Sequence, residues 1–198
     1  MKRAIDIVAS FVGLLLLAPL LAAVAVLILV RDGRPVLFRQ ERPGRHGRPF
    51  RIVKFRTMTV APSAGAAIGD TARVTRLGKA LRASSIDELP ELWNVLVGDM
   101  SLVGPRPLLT AYLPLYSATQ ARRHEVRPGL TGLAQVRGRN AISWEAKFAL
   151  DVFYVDNRSL WLDLRILGAT AGLVLRRSDI DASVGETMPV FTGSRPER

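Results

Sequence analysis

Two adjacent carboxylates, Asp87 and Glu88, stand in the stretch Ser84-Ser85-Ile86-Asp87-Glu88-Leu89-Pro90-Glu91-Leu92-Trp93-Asn94 of a chain with 28 Lys+Arg against 17 Asp+Glu. Acids kept together in a basic chain suit a site that handles phosphate, through a metal ion or a carboxylate nucleophile. Ser85 and Glu88 have capping-box spacing. Pro90 is harmless only in a first helical turn, so the pattern predicts a helix beginning near Asp87. Its positive end favours ionised carboxylates and attracts phosphate. Leu89, Leu92, Trp93 and Leu96 are expected to form its buried face.

Cations are available in several mounts. Arg106 lies between Pro105 and Pro107, and Arg127 precedes Pro128 in Val126-Arg127-Pro128-Gly129-Leu130-Thr131-Gly132. A stiff backbone suits a guanidinium that meets phosphate bidentately, although both stretches also read as surface turns with charged tips. Lys54 and Arg56 alternate with Phe55 on the strand-like run Phe50 to Phe55 and are further site candidates. Other chemistries are excluded. Without cysteine there are no disulfides, thiolate catalysis or Cys-type zinc sites, and two histidines, His46 and His124, leave no His-rich metal site.

The elements that position these groups begin with a membrane segment. Lys2 and Arg3 open it, Ile7 to Val30 runs 24 residues without a charge, and Arg31 and Arg34 close it. That length crosses a bilayer core. Pro19 in its middle predicts a kink or break in the helix. A re-entrant hairpin, a plain spanning helix and a signal peptide are all compatible with these residues.

Residues 31–56 hold nine Lys/Arg and two acids around Pro43, Gly44, Gly47 and Pro49. Short strands flank that loop, so a basic β-hairpin directly follows the membrane segment. Its arginines suit anionic lipid headgroups or a solvated loop equally well. Residues 60–72 read as a small-residue loop, and Thr75 onward as a helix with Arg76, Lys79 and Arg82 on its polar face.

Leu109 to His124 is a helix candidate interrupted by Pro114. Trp144, Phe148, Val152 and Val155 form a stripe with Glu145, Asp151 and Asp156 turned away. Leu160 to Leu175 is too short between charges to span a bilayer and suits a buried or interfacial helix. Asp179-Ile180-Asp181 matches a D-x-D metal pattern, a weak signal at three residues. The net charge of +11 with a mean hydropathy of +0.19 favours a membrane surface over nucleic acid, for which no aromatic stacking platform or reading-helix motif is found.

Taken together, five stretches carry a resemblance. They are Gln40-Glu41-Arg42-Pro43-Gly44; Lys54-Phe55-Arg56-Thr57-Met58; Leu81-Arg82 with Ser85 to Val95; Gly98 to Pro107; and Arg127 to Gly132. With the proline-bearing N-terminal segment and in this order, they resemble the bacterial sugar transferases, the monotopic phosphoglycosyl transferases, in minimal catalytic form. The resemblance covers nearly the whole chain.

It implies an α+β, mostly helical fold with a re-entrant helix-break-helix membrane segment (1–34), a small β-hairpin and interfacial amphipathic helices in one catalytic unit (35–198). It implies transfer of a sugar 1-phosphate from a UDP-sugar to a polyprenol phosphate such as undecaprenyl phosphate, with UMP released, magnesium required, and action at the cytoplasmic face of the bacterial inner membrane. Asp87 corresponds to the nucleophile that forms an aspartyl phosphosugar. Glu88 would hold magnesium with it or handle a proton. Lys54, Arg82, Arg106 and Arg127 would clamp phosphate. Ala18 departs from the serine that often precedes the helix-breaking proline. A non-catalytic membrane scaffold that kept the fold is the alternative, against which the intact acid pair and four basic positions argue.

Overall fold

The computed structural model describes residues 1–60, 73–138, 141–176 and 190–193. Most of the expected 60–72 loop and Asp179-Ile180-Asp181 lie outside the described residues. The fold is mostly helical with two small sheets, as expected. Helix α1 (Lys2–Arg31) is followed by strands β1 (Leu37–Pro43) and β2 (Pro49–Phe55), then helices α2 (Arg76–Ala83) and α3 (Glu91–Val97). Strand β3 (Ser101–Val103), helix α4 (Ala118–Ala121), strand β4 (Gly129–Thr131) and helices α5 (Leu133–Arg137), α6 (Trp144–Asn157) and α7 (Leu160–Arg176) complete it.

The expected break at Pro19 is not a break in the helix, because α1 stays helical from Lys2 to Arg31 with Pro19 inside it. Proline deletes one backbone donor and crowds one turn, and flanking leucines and alanines are strong helix formers that carry the rest. Both ends of α1 are seated on the remainder of the chain. Near the start, Arg3 donates to the carbonyls of Val95 (2.5 Å) and Leu96 (2.8 Å), and Lys2 Nζ meets Asp163 Oδ2 at 2.6 Å. Asp6 is buried and accepts from Ser101 Oγ (2.9 Å) and from the Leu102 amide (3.1 Å). Near the other end, Val24 and Ile28 pack with Phe55 and Leu81.

No residue between Phe11 and Leu20 is buried, and Phe11, Leu15 and Leu16 are exposed. Thus the two arms are held by the rest of the chain, Gly13 passes close to Leu92, and Phe11, Leu15, Leu16 and Leu20 between them are left exposed. That middle needs an apolar medium.

The hairpin forms as expected, with Leu37 opposite Phe55 and Pro43 opposite Pro49. Helix α3 lies against it with a different face from the one expected. Glu91, Leu92, Asn94 and Val95 are inside, whereas Trp93 is 54% exposed. Asn94 draws that face inward. Its Oδ1 accepts from the Val53 amide (3.0 Å) and its Nδ2 donates to the Arg51 carbonyl (2.8 Å), satisfying the open edge of β2.

Strands β3 and β4 pair in parallel, with Ser101 opposite Gly129 and Val103 opposite Thr131. The two proline mounts therefore adjoin one another rather than forming separate surface turns. The approach depends on glycine. A Cβ on Gly129 would lie 2.1 Å from the Gly104 amide nitrogen, and one on Gly104 would lie 2.4 Å from the Arg127 carbonyl oxygen.

Elsewhere, Leu109 to His124 breaks into a 3-10 turn (Thr110–Leu115), α4 and a second 3-10 turn (Arg122–Glu125), consistent with Pro114 and Ser117 interrupting a longer helix. Asp151 is not turned away from the core. It is buried, and its carboxylate accepts from Arg123 Nε (3.0 Å) and Nη2 (2.7 Å). A paired charge can enter a core that an isolated one could not.

In α7, Ile166 and Asp163 face inward while Trp161 and Leu164 are exposed, an amphipathic arrangement. Phe191 is buried among Tyr112, Trp144 and Phe148.

Candidate active site

Asp87 and Glu88 lie in a single 3-10 turn (Ile86–Glu88) between α2 and α3. Ser85, which leads into that turn, has φ 56° and makes no side-chain cap, so the expected capping box does not form. Glu88 is drawn elsewhere. Arg106 forks onto its two carboxylate oxygens, one contact being Nη1 to Oε2 at 3.2 Å. Lys54 Nζ donates to Glu88 Oε1 at 2.8 Å. Charge-assisted bonds of this kind outweigh a neutral cap bond. Helix α3 begins three residues later, at Glu91, so the acid pair precedes it rather than opening it.

Lys54 is bridged a second time, to Glu91 Oε1 at 2.8 Å. Glu91 is 1% exposed. Two cations and two carboxylates thus alternate as Arg106, Glu88, Lys54, Glu91. Asp87, 8% exposed, stands beside this row, and among the described residues no side chain or backbone group bonds its carboxylate.

The electrostatics separate the three acids. Burial, helped by repulsion from Glu88, pushes Asp87 up to about 6 against the pull of Lys54, Arg106 and Arg82. Burial opposes ionisation of Glu88 too, but Arg106 and Lys54 overcome it and hold Glu88 well below the usual carboxylate range. Glu91 is pushed up to about 7, chiefly by burial. Arg106 is raised further above its ordinary value by Glu88.

These groups line one cavity of about 1200 Å³. Lys54, Arg82, Asp87, Glu88 and Arg106 all face it. Arg82 reaches it from α2, with Nε donating to Thr57 Oγ1 at 2.9 Å.

Arg127 is not among the lining residues. Its Nε donates to the Gly98 carbonyl at 2.8 Å, where it satisfies the chain leaving α3. Arg56 lines the cavity but is committed to structure, because its guanidinium donates to the carbonyls of Asp32, Gly33 and Arg34 just after α1. Arg42, read as a loop arginine and as part of the Gln40–Gly44 stretch but not as a site residue, lines the cavity from β1. Burial and Arg106 lower its pKa. Glu91 and Arg42 stand in stretches that carry the resemblance, but nothing local marks them as site residues, since their places follow from β1, β2 and α3 meeting.

The donor set fits a divalent cation only in part. Asp87 offers a carboxylate with no hydrogen-bond partner among the described residues, and magnesium commonly takes one or two carboxylates with substrate phosphate oxygens and water. Glu88, the second expected ligand, is already held by Arg106 and Lys54. No cluster of three or more His, Asp or Glu able to hold a metal occurs among the described residues.

The chain that carries this long apolar helix and this cavity of paired carboxylates and cations matches a known family by sequence. The family model for bacterial sugar transferase matches residues 1–177, and the chain belongs to that family. It is 52% identical over 195 residues to the uncharacterized sugar transferase EpsL of Bacillus subtilis (strain 168), covering 98% of this chain and 96% of that protein. It is 47% identical over 185 residues to UDP-glucose:undecaprenyl-phosphate glucose-1-phosphate transferase of Caulobacter vibrioides, covering 88% of this chain and 69% of that one. It is also 42% identical over 183 residues to UDP-N-acetylgalactosamine-undecaprenyl-phosphate N-acetylgalactosaminephosphotransferase of Aeromonas hydrophila, where it covers 88% of this chain and 43% of the relative.

Proposed function

We propose that the protein is a phosphoglycosyl transferase that moves a sugar 1-phosphate from a UDP-sugar to undecaprenyl phosphate or a similar polyprenol phosphate, releasing UMP. The observation that carries the reading is the cavity-facing Asp87 carboxylate, without a hydrogen-bond partner among the described residues and beside Lys54, Arg82 and Arg106. The names of the Caulobacter and Aeromonas relatives support the substrate classes.

In the first step an Asp87 carboxylate oxygen attacks the sugar-linked phosphorus. The phosphoanhydride P–O bond breaks and UMP leaves with the electron pair. In the second step a phosphate oxygen of the polyprenol phosphate attacks the same phosphorus. The acyl-phosphate P–O bond breaks and returns Asp87 as carboxylate, leaving a polyprenyl diphosphate sugar. Both steps pass through an anionic phosphoryl group, for which fixed cations are the main stabiliser.

Glu88 acts by holding Arg106 and Lys54 toward the cavity. Arg82 adds a third cation from α2. Magnesium, held by Asp87 and the substrate phosphates, would neutralise diphosphate charge.

The arms of α1 set the protein at a membrane, with its apolar middle in lipid and both ends toward the cytoplasmic face. The basic hairpin and α7 would meet anionic headgroups there, and residues 35–198 would act with α1 as one unit. Purified protein in nanodiscs, given undecaprenyl phosphate and a panel of UDP-sugars, should release UMP with at least one sugar. Absence of UMP across the panel would exclude the assignment.

A further inference from the structure

The cavity has a second side that the phosphate chemistry does not use. It is lined by Leu130, Thr131, Ala134, Gln135, Leu167 and Thr170, from β4, α5 and α7. The hydroxyls here are already engaged. Thr131 Oγ1 and Thr170 Oγ1 bond one another at 2.8 Å, and Thr170 also donates to the Ile166 carbonyl.

Gln135 is different. Both its Oε1 and its Nε2 are shielded from solvent, and neither has a hydrogen-bond partner among the described residues. A carboxamide withdrawn from water with neither end paired is costly, and such groups in native structures point to a missing partner.

The position of this carboxamide limits what the partner is. A Cβ on Gly132 would lie 2.2 Å from the Gly104 carbonyl oxygen and 2.6 Å from Gln135 Oε1. Gln135 therefore packs onto the turn that mounts Arg106, and the missing side chain at position 132 lets it do so. Gln135 and Arg106 line the same cavity, so a ligand whose phosphate meets Arg106 has its neighbouring moiety in the space that Gln135 also faces. In a UDP-sugar, the moiety joined directly to the attacked phosphate is the sugar. The uracil lies one phosphate and one ribose further away.

The chemistry agrees. A carboxamide offers one acceptor and two donors, and sugar hydroxyls both donate and accept.

We propose that Gln135 is a sugar-contacting residue, binding ring hydroxyl or acetamido groups of the nucleotide sugar and contributing to the choice among epimers. This rests on the phosphoglycosyl transferase reading above and extends it to the sugar. A site built to pair a substrate hydroxyl discriminates strongly against a sugar that lacks it, because its own polar atoms are then left unmatched.

The test compares full-length wild type with Gln135→Leu and Gln135→Glu in nanodiscs. Binding of UDP and of UDP-glucose, UDP-galactose, UDP-GlcNAc and UDP-GalNAc is measured calorimetrically, alongside UMP release for each sugar. Gln135→Leu should leave the Kd for UDP within about twofold while raising Kd and KM for the preferred UDP-sugar about tenfold, the expected size for a lost pair of hydrogen bonds. Gln135→Glu keeps the size of the side chain and should shift the ranking of the four sugars, so the inference stays testable if the leucine variant folds poorly.

Equal losses for UDP and UDP-sugar would place Gln135 on the nucleotide and overturn the inference, as would unchanged binding of all ligands. If wild type releases no UMP from any sugar, the parent reading fails. The contrast between UDP-sugar and UDP binding still decides the role of Gln135.

Discussion

Replacing Asp87 by Asn should make the protein more stable as it makes it inactive. The carboxyl is 8% exposed and is pushed from 3.8 to about 6 by burial and by Glu88. A carboxyl whose folded pKa is raised binds its proton more tightly in the native state than in the unfolded one. Ionisation therefore costs stability, and the cost grows as pH rises from about 4 to 6 and is complete above that. At about 1.4 kcal/mol per pH unit the full cost is roughly 3 kcal/mol.

An amide of the same shape avoids that cost. It also forgoes the attraction of Lys54, Arg106 and Arg82, which the pKa already includes. A gain of about 1–3 kcal/mol at pH 7.5 is expected, or about 2–4 °C in Tm per kcal/mol for a chain of this size. Thermal unfolding of wild type and Asp87→Asn, in the same detergent with chelator, measures it from pH 4 to pH 8. The two curves should converge near pH 4 and separate above pH 6, with the variant higher. A variant that melts lower than wild type at pH 7.5, or a difference that does not shrink toward pH 4, would refute the electrostatic account of this site.

Other expectations follow from neighbouring contacts. An attacking carboxylate must be ionised, so the role proposed for Asp87 predicts that kcat/KM of wild type falls as pH drops below about 6, read from UMP release across buffers. Arg123→Met should lower stability by about 3–5 kcal/mol, since it strands buried Asp151, and Arg123→Met with Asp151→Leu should recover much of the loss, both read by chemical denaturation. Lys54→Met should depress UMP release at least 100-fold, because it removes a phosphate-facing cation and releases Glu88 and Glu91 from their shared partner. The chain has no cysteine, so single cysteines placed at Ala4 and at Gly33 can report topology. Both should react with an impermeant thiol reagent from the same side of sealed vesicles, whereas labelling from opposite sides would mean that α1 spans the bilayer.

Local signals in the chain were strong where neighbours in sequence are neighbours in space. The Leu37–Phe55 hairpin was legible from strand-like runs around Pro43, Gly44, Gly47 and Pro49, and the long apolar helix from its 24 uncharged residues. Asp87, Glu88, Lys54, Arg82 and Arg106 were all singled out, and they line one cavity. What was hidden depended on distant partners. Glu88 matched a capping box by spacing, yet Lys54 from β2 and Arg106 from beyond β3 claim it. Asp151 looked solvent-facing by helical period until Arg123, 28 residues earlier, supplied its counter-charge. Arg127 matched Arg106 in its proline mount, but parallel pairing of β3 with β4 leaves its side chain on the Gly98 carbonyl. Pro19 announced a kink or break by its chemistry alone; the helix continues through it, with both arms held by contacts that no local rule contains.

The central claim is that Asp87 carries the phosphosugar between donor and acceptor. Intact-protein mass spectrometry of enzyme mixed with its preferred UDP-sugar, with no polyprenol phosphate added and with rapid acid quench, tests it most directly. The account predicts a mass increase of one sugar phosphate, absent in Asp87→Asn, mapped to the peptide containing Asp87 and lost when undecaprenyl phosphate is supplied. An active enzyme that shows no adduct and releases UMP only when the lipid acceptor is present would contradict it and require direct transfer between the two substrates.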